Sequence, residues 1–585
     1  MSVHWLDLVV IAVYLGLMLW LGLAFSRRAS RDTGEFFLSG RSLPWFVAGT
    51  SMAATTFASD TPLVVTEFVR TQGVAGNWVW FNFAISHLVT TFFLARLWRR
   101  SGVTTDVEFC ELRYGGRGAA SLRLFKGLFY AFITNVVVLG WVILAMTAIA
   151  GAFGVPKLVT LALCIALASL YASMAGLWGV VVTDLLQFVV AMGGAVLLAV
   201  KVLQAEGGLA ALRARLPHLI DAAGEPAARM APLTGFDWAS PGFRAAFLGF
   251  LVAVLVQWWS WKYSDGGGVL IQRMNASRSE RDSLLGTLWF AVLTYAVRPW
   301  PWFLVALVSL WVYPNLGPVP ADHKAIYPTM MASYLGPGLL GLMLAAMLAA
   351  FMSTIDTHMN LASSYFVHDV YRRFLKKDAS ERHYVRVARL TGLVIVVLGS
   401  LVAWQSSSIS FLFVFLLQLV AGAGAVFLLR WFWWRITAWS EIAAMLTSLV
   451  VATLLNLANK GDWFGHHFAA WEIFVLNVLL SALVWVTVAL LGPRETTGRL
   501  VAFVARTRPP GRWPARFWPG GERRPQGVTG ARAWANVLAG VALIYGLLFG
   551  AGQFFFGRAA RGELLLLAAL AGGLWLLFSL RRETA

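Results

Sequence analysis

Residues 349–364, AAFMSTIDTHMNLASS, place a carboxylate, an amide and several hydroxyls inside a stretch that is otherwise apolar from about Leu339 to Tyr365. On a helix, Ser353, Asp356 with Thr357, Asn360, and Ser363 with Ser364 fall three to four residues apart and form one polar stripe. Such groups are costly at bilayer depth unless they face a partner, a cavity or an ion. Ala350, Ser353, Thr354 and Thr357 lie around one turn, which offers a small hard cation two hydroxyls and a backbone carbonyl. The stretch reads as a sodium-binding helix whose remaining ligands must come from elsewhere in the chain.

Two other stretches supply candidates. FVAGTSMAATTFASDTPLVVTEF (46–68) carries Thr50, Ser51, Thr55, Thr56, Ser59, Asp60 and Thr61 ahead of Pro62. Proline lacks a backbone donor and clashes with the preceding turn, so the helix should break near Asp60–Pro62. LVQWWSWKYSDGGGVLIQR (255–273) contains Asp265-Gly266-Gly267-Gly268, which is no comfortable continuous helix. Unwound backbone is tolerated at membrane depth where it lines a site, and its freed carbonyls are cation ligands. Thr56, Ser59, Asp60, Trp261 and Tyr263, beside the two breaks, are therefore expected to contact a solute.

Further polar groups fall inside apolar segments. Asn77, Trp78, Trp80 and Asn82 interleave ring faces with amides, which suits stacking on and hydrogen-bonding to a sugar-like ring. Arg298, in AVRPWPWF, either holds a substrate carboxylate or hydroxyls or pairs with Asp60 or Asp265, with the pairing favoured. Asp184, in VVTDLLQF, either neutralises a second cation together with Asp356 or caps a helix or pairs with a loop arginine. His87 and His358 are expected to be satisfied by hydrogen bonds rather than to relay protons.

The elements that position these residues follow from composition. Of 585 residues, 59% are hydrophobic and 13% charged, with a mean hydropathy of +0.70. A soluble domain carries roughly 25% charged residues, so the chain is an all-α polytopic membrane protein. Its net charge of +19 is explained by basic cytoplasmic loops, with no call for nucleic acid. Cys110 and Cys164 form neither a disulfide framework nor a metal-ligand spacing.

Apolar stretches long enough to cross a bilayer are expected near 5–25, 44–69, 76–97, 121–151, 154–174, 176–201, 244–264, 284–313, 336–365, 387–405, 409–430, 438–457, 471–492, 534–556 and 563–580, about fifteen spans. The first lacks a basic leader and reads as an uncleaved helix. Residues 96–126 carry seven basic side chains against three acids, 372–389 another seven, and 494–533 nine arginines against two glutamates. By contrast, 202–243 has three arginines against four acids. This alternation places the N-terminus outside and the C-terminus inside an inner or plasma membrane. The Arg/Pro/Gly-rich segment 494–533 reads as a solvated tether.

FFLSGRSLPWFVAGTSMAA (36–54), VEFCELRYG (107–115), YASMAGLWGVVVTDLLQF (171–188), IQRMNASRSE (271–280) and AAFMSTIDTHMNLASSYFVHDVYRRF (349–374) resemble the sodium/solute symporter family, which includes sodium-coupled sugar, proline and sialic acid carriers. The resemblance implies a leucine-transporter-like 5+5 inverted repeat with extra peripheral helices, working by alternating access. The expected division is an N-terminal helix and loop (1–43), a first repeat (44–201), an extracytoplasmic loop (202–243), a second repeat (244–430), two peripheral helices (431–493), the linker (494–533) and two final helices (534–585). Carried over residue by residue, the main sodium site takes carbonyls of Ala54, Phe57 and Ala350 and hydroxyls of Ser353 and Thr354. A second cation site, found in some members, falls on Asp184, Ser353, Asp356 and Thr357, so one or two sodium ions are implied. The chain departs from the family in having Asp356 where serine or threonine is usual. It also has Trp80 where sugar carriers place a glutamate, and Thr294 at the eighth-span lysine position, with Arg298 one turn later. The overall expectation is a sodium-coupled symporter, not an enzyme, importing a small organic solute, first a sugar or sugar acid. An amino acid carrier and a proton-coupled carrier are the alternatives. A sensor on the same scaffold would need an output domain larger than the segments after 494. Oligomeric state is left open.

Overall fold

Without water at bilayer depth, backbone donors and acceptors must pair within their own segment, so apolar stretches of this length fold as helices. The computed structural model of the protein describes residues 3–29, 33–172, 177–232, 238–261, 263–316, 322–511, 513–519 and 530–582. Among these residues the secondary structure is helical, with two isolated bridges and no strand. In chain order the principal helices are α1 (Trp5–Ala29), α2 (Trp45–Thr55), α3 (Asp60–Gln72), α4 (Val74–Ser101), α5 (Gly116–Ala152), α6 (Lys157–Ala172) and α7 (Leu177–Ala205). Then come α8 (Pro241–Ser260), α9 (Gly267–Ala276), α10 (Glu280–Val312), α11 (Leu339–Leu375), α12 (Glu381–Gln405), α13 (Ile409–Leu419) and α14 (Gly424–Phe432). Last are α15 (Ala438–Gly461), α16 (Ala470–Leu491), α17 (Thr497–Thr507), α18 (Gly530–Phe555) and α19 (Ala559–Arg581).

Among the described residues, eleven helices are long and apolar enough to cross a membrane, or twelve if α13 and α14, bent by 41°, form one span. The other expected crossings fall on the shorter apolar stretches Trp5–Leu21 and Lys157–Ser169 and on the broken pair α2/α3. Residues 173–176, at the end of the expected span 154–174, and Lys262 in the second break lie outside the described residues.

The first break has a local cause. α2 ends at Thr55 and α3 starts at Asp60, so the unwound residues are 56–59, just ahead of the expected position. Pro62 falls in the first turn of α3, where its missing N–H would have had no partner anyway. Thr61 Oγ1 accepts a hydrogen bond from the Ala58 N–H at 3.1 Å and replaces a backbone partner lost at the break. At the second break, Gly266 and Gly267 have φ of +119° and +66°, a region that side-chain-bearing residues rarely adopt. A Cβ at Gly268 would strike the hydroxyl of Tyr365 on α11, so the third glycine is needed for close approach.

α11 is the central helix, buried almost throughout from Ala345 to Ser364 and packed against α1, α7 and α12. α7 also packs on α2, and α2 on the first half of α10. α10 widens into a π-helical turn at Leu293–Val297, where the Arg298 N–H donates to the Leu293 carbonyl at 3.1 Å. This turn precedes Pro299, which cannot donate, and it re-aims Thr294 and Tyr295. Leucines such as Leu401, Leu483 and Leu577 are exposed on α12, α16 and α19, as expected of faces turned to lipid.

The solvated tether expected at 494–533 is corrected in its first half. Leu500, Phe503 and Val504 of α17 are buried, and Trp513 donates from Nε1 to the Trp431 carbonyl at 3.1 Å. Spacing four apart on an eleven-residue helix gives that segment an apolar face that its arginine count concealed. Residues 520–529 lie outside the described residues.

Candidate functional site

The two breaks and the middle of α11 meet. Thr354, buried on α11, donates from Oγ1 to the Thr55 carbonyl at the frayed end of α2, at 3.0 Å, and to the Ala350 carbonyl at 3.2 Å. The carbonyl facing Thr354 is thus that of Thr55, between the two residues expected to contribute. The Ala54 carbonyl accepts from the Phe57 N–H at 2.9 Å. Thr354, Ala350 and the unwound residues 56–59 therefore form one junction of hydroxyl and carbonyl oxygens.

Ser353 turns to the other side. Its hydroxyl donates to Asp184 Oδ1 at 2.7 Å, while Ser51 of α2 donates to Asp184 Oδ2 at 2.5 Å. Arg273, at the end of α9, enters the same cluster. Its Nη2 lies 3.7 Å from Asp184 Oδ2 and donates to Thr357 Oγ1 at 2.8 Å, and its Nε donates to Ser51 Oγ at 3.2 Å. Thr55 Oγ1 lies 3.0 Å from Thr357 Oγ1. Asp356 does not join them: its Oδ2 is buried without a hydrogen-bond partner. The expected second-cation set thus has Asp184, Ser353 and Thr357 in one cluster with an arginine, and Asp356 making no hydrogen bond to them. An arginine inside an otherwise apolar run after a helix break is itself a signal, because a buried guanidinium needs an acid nearby.

Beside the junction lies a cavity of about 210 Å³, framed by the α2/α3 and α8/α9 breaks, α4, α5, α10, α11 and α13. One water needs about 10–15 Å³ on this measure, so there is room for an organic solute. Of the expected solute contacts, Thr56, Asp60, Trp80, Trp261, Tyr263 and Arg298 line it. Ser59 and Asn82 do not. The Ser59 hydroxyl donates to the Val142 carbonyl at 3.3 Å, and the Asn82 amide donates to the Trp78 and Val79 carbonyls at 2.7 and 3.1 Å. Both side chains are spent on backbone carbonyls, Ser59 across to α5 and Asn82 within its own helix, which takes them away from the cavity.

Arg298 pairs with neither expected acid. Its Nη1 donates to the Ala53 carbonyl at 2.7 Å and to Thr56 Oγ1 at 2.9 Å, which ties α10 to the end of α2. Asp265 instead pairs with Arg430 at 2.5 Å, in a buried cluster with Glu441 and Lys126. Asp60 and Arg298 both line the cavity, so it presents a carboxyl group and a guanidinium to an occupant. Trp80 donates to Asn77 Oδ1 at 2.8 Å and its ring stacks beside Tyr295. Trp261 lies flat on Phe83, 3.5 Å between centroids.

Sequence reasoning did not select Tyr295, Trp141 or Phe290 for this wall. Single aromatics in apolar spans look the same whether they line a cavity or fill a core. His87 meets its expected hydrogen bonding in part: Nδ1 lies 2.8 Å from Tyr295 Oη, while its buried Nε2 has no hydrogen-bond partner, and the residue lines the cavity. His358 Nδ1 lies 2.6 Å from Asn135 Oδ1. Among the described residues no group of three or more histidine, cysteine or acidic side chains is clustered to hold a metal ion. The oxygen junction suits a weakly held monovalent ion, because its donors are carbonyls and hydroxyls.

The profile of the Sodium:solute symporter family matches residues 36–448. The chain is 25% identical over 482 residues to a sodium/glucose cotransporter of Vibrio parahaemolyticus, covering 78% of this chain and 86% of that one. It is 27% identical over 470 residues to a sodium/sialic acid symporter of Proteus mirabilis (strain HI4320), covering 77% and 89%. The fold is similar to that of a solved Na+-coupled sialic acid symporter in its substrate-bound, outward-open state, with a TM-score of 0.67 at 23% identity over 84% of this chain and 99% of that one.

Proposed function

This chain belongs to the sodium:solute symporter family, and on that basis we propose that it imports a small organic solute, a sugar or sugar acid, down the sodium gradient by alternating access. The observation that carries the reading is the shared junction. Thr354 of α11 is hydrogen-bonded to the end of α2, and Thr55, Thr56 and Thr354 all line the solute cavity. An ion held by the Thr354 hydroxyl and the carbonyls of Ala350 and Thr55 would fix the α2 break against α11. It would thereby set the positions of Thr56, Asp60 and Arg298 around the solute. Coupling of this kind is reciprocal: solute must tighten sodium by the factor by which sodium tightens solute.

The two breaks open two sets of five spans in the proposed inverted repeat, with the N-terminus outside and the C-terminus in the cytoplasm. Two relatives are a sodium/glucose cotransporter and a sodium/sialic acid symporter. Arg298 offers a guanidinium to a carboxylate or a pair of hydroxyls, and Trp80 and Trp261 offer ring faces. A zwitterionic amino acid is the second reading, favoured by Asp60 and Arg298 lining one cavity.

The test is uptake into proteoliposomes holding the full chain, with sugars, sugar acids and amino acids offered in turn. Uptake of one of them should collapse when choline replaces sodium. Uptake at full rate in choline would refute sodium coupling, and a rate that follows the pH gradient instead would assign the coupling to protons.

A further inference from the structure

We propose that the groove between the start of α18 and the end of α19 binds the phosphate headgroup of an anionic phospholipid between the guanidinium groups of Arg532 and Arg582. The inference is independent of the solute and of the ion that drives its uptake.

α18 and α19 run antiparallel, so the first turn of α18 and the last turn of α19 lie at the same end of the pair. A cavity of about 350 Å³ opens there, bordered by Arg532 and Ala535 of α18 and by Trp575, Phe578, Ser579 and Arg582 at the end of α19. One water needs about 10–15 Å³ on this measure, so a phosphodiester with its glycerol has room. The lining carries two guanidinium groups and no acid. Arg532 is fixed in place: its Nε donates to Ser579 Oγ at 3.1 Å and its Nη2 to the Ser579 carbonyl. Both acceptors are neutral, so they orient the guanidinium without cancelling its charge. The carbonyl that Arg532 covers is also one of the last of α19, at the electronegative end of that helix. Arg582 is exposed and lies over the Phe578 ring, 4.1 Å from its centroid. In the sequence, Arg581 and Arg582 precede a single acid, Glu583, which lies outside the described residues.

The rest of the surface says which kind of anion fits. Next to the arginines the same two helices turn apolar: Leu574, Leu577 and Phe578 of α19 and Leu538 of α18 are exposed. Trp534 and Trp575 are partly exposed at this level, where tryptophans sit in a bilayer interface. A molecule that satisfies both halves has an anionic head and acyl chains, whereas a free phosphate ion would leave the apolar half uncovered. In the proposed orientation this end faces the cytoplasm, and basic clefts between spanning helices on that side suit acidic lipid headgroups. Single arginines at helix ends reach into any headgroup layer. Here two arginines from different helices border one cleft, and their convergence gives the site its preference for an anion. α18 is bonded to the body through Tyr545 and Trp300, so a lipid bridging α18 and α19 holds the pair against the transport core.

The experiment is native mass spectrometry of the purified full chain in a neutral detergent, titrated with phosphatidylglycerol or with phosphatidylcholine of the same acyl chains. The wild type should bind its first phosphatidylglycerol at least about fivefold more tightly than its first phosphatidylcholine. Arg582→Gln should weaken the first phosphatidylglycerol about fivefold, the scale of one basic side chain at an anionic surface, and leave phosphatidylcholine unchanged. The double variant Arg532→Gln with Arg582→Gln should show no preference between the two lipids. Equal affinity of the wild type for both lipids overturns the proposal, and so does an Arg582→Gln chain that keeps the wild-type preference. Displacement of phosphatidylglycerol by excess inorganic phosphate would make this a site for the free ion and overturns it too. If the double variant does not fold, Arg582→Gln decides, because Arg582 is exposed and its replacement leaves the packing of the two helices intact.

Discussion

Thr354 holds α11 to the open end of α2 with one hydroxyl, and the consequences of losing it can be read without knowing the cargo. In the proposed site, Thr354→Ala removes the hydroxyl that α11 contributes to sodium at the junction. The sodium concentration for half-maximal thermal stabilisation should rise about tenfold or more, equivalent to about 1.4 kcal/mol. An unchanged sodium dependence would remove this turn from the site. Arg298 makes a different prediction, because its Nη1 is spent on the Ala53 carbonyl and Thr56. In Arg298→Gln the sodium-induced shift should survive, while the shift given by the recognised sugar, sugar acid or amino acid should disappear. Loss of both together would make Arg298 a structural clamp. At this scale local chemistry is legible where it breaks a helix: the polar run before Pro62 ends α2 and meets Thr354 of α11, whereas the neighbouring Ser353 turns to Asp184. The sequence was read poorly for Ser59 and Asn82, whose hydroxyl and amide are consumed by nearby carbonyls.

Elements break here for reasons that are visible in their own residues, but they are locked by partners far away. Asp265, at the second break, pairs with Arg430 of α14, which also pairs with Glu441 of α15. Lys126 of α5 approaches Glu441 at 3.0 Å and Tyr114 donates to it at 2.5 Å. The cluster joins α5, α14 and α15 to the segment before α9, and its charges are almost completely buried. Removing one partner leaves an uncompensated buried charge, which typically costs about 3–5 kcal/mol. Glu441→Ala should lower the apparent melting temperature accordingly, and a melting temperature equal to that of the wild type would show that Lys126 and Arg430 find other partners. Gly268→Ala tests the close approach at the same break. The added Cβ meets the Tyr365 hydroxyl, which donates to Asp106 at 2.6 Å. Sodium-dependent uptake should fall more than sodium binding does, because the break must move while the ion junction is untouched.

Across the whole molecule, the last two helices are part of the packed body. Tyr545 of α18 donates to the Phe81 carbonyl at 2.8 Å, and Trp300 of α10 donates to the Leu548 carbonyl at 2.9 Å. α18 and α19 approach through glycines: a Cβ at Gly546 would lie 2.6 Å from the Leu565 carbonyl oxygen. Gly546→Val should therefore separate the pair and cost about 1–3 kcal/mol of stability, the usual range for overpacking, read as a lower melting temperature in detergent. The sequence by itself determined that the chain is helical and membrane-embedded, where its helices run, and that α2/α3 and α8/α9 are interrupted. Each of these follows from composition, apolar run length, or the backbone chemistry of proline and glycine within a few residues. Only the tertiary structure decided that Asp184 meets Arg273, that Asp265 meets Arg430 rather than Arg298, and that Asp356 stands apart. A buried charge must find a partner wherever packing brings one, and no local pattern encodes which of several distant arginines that will be.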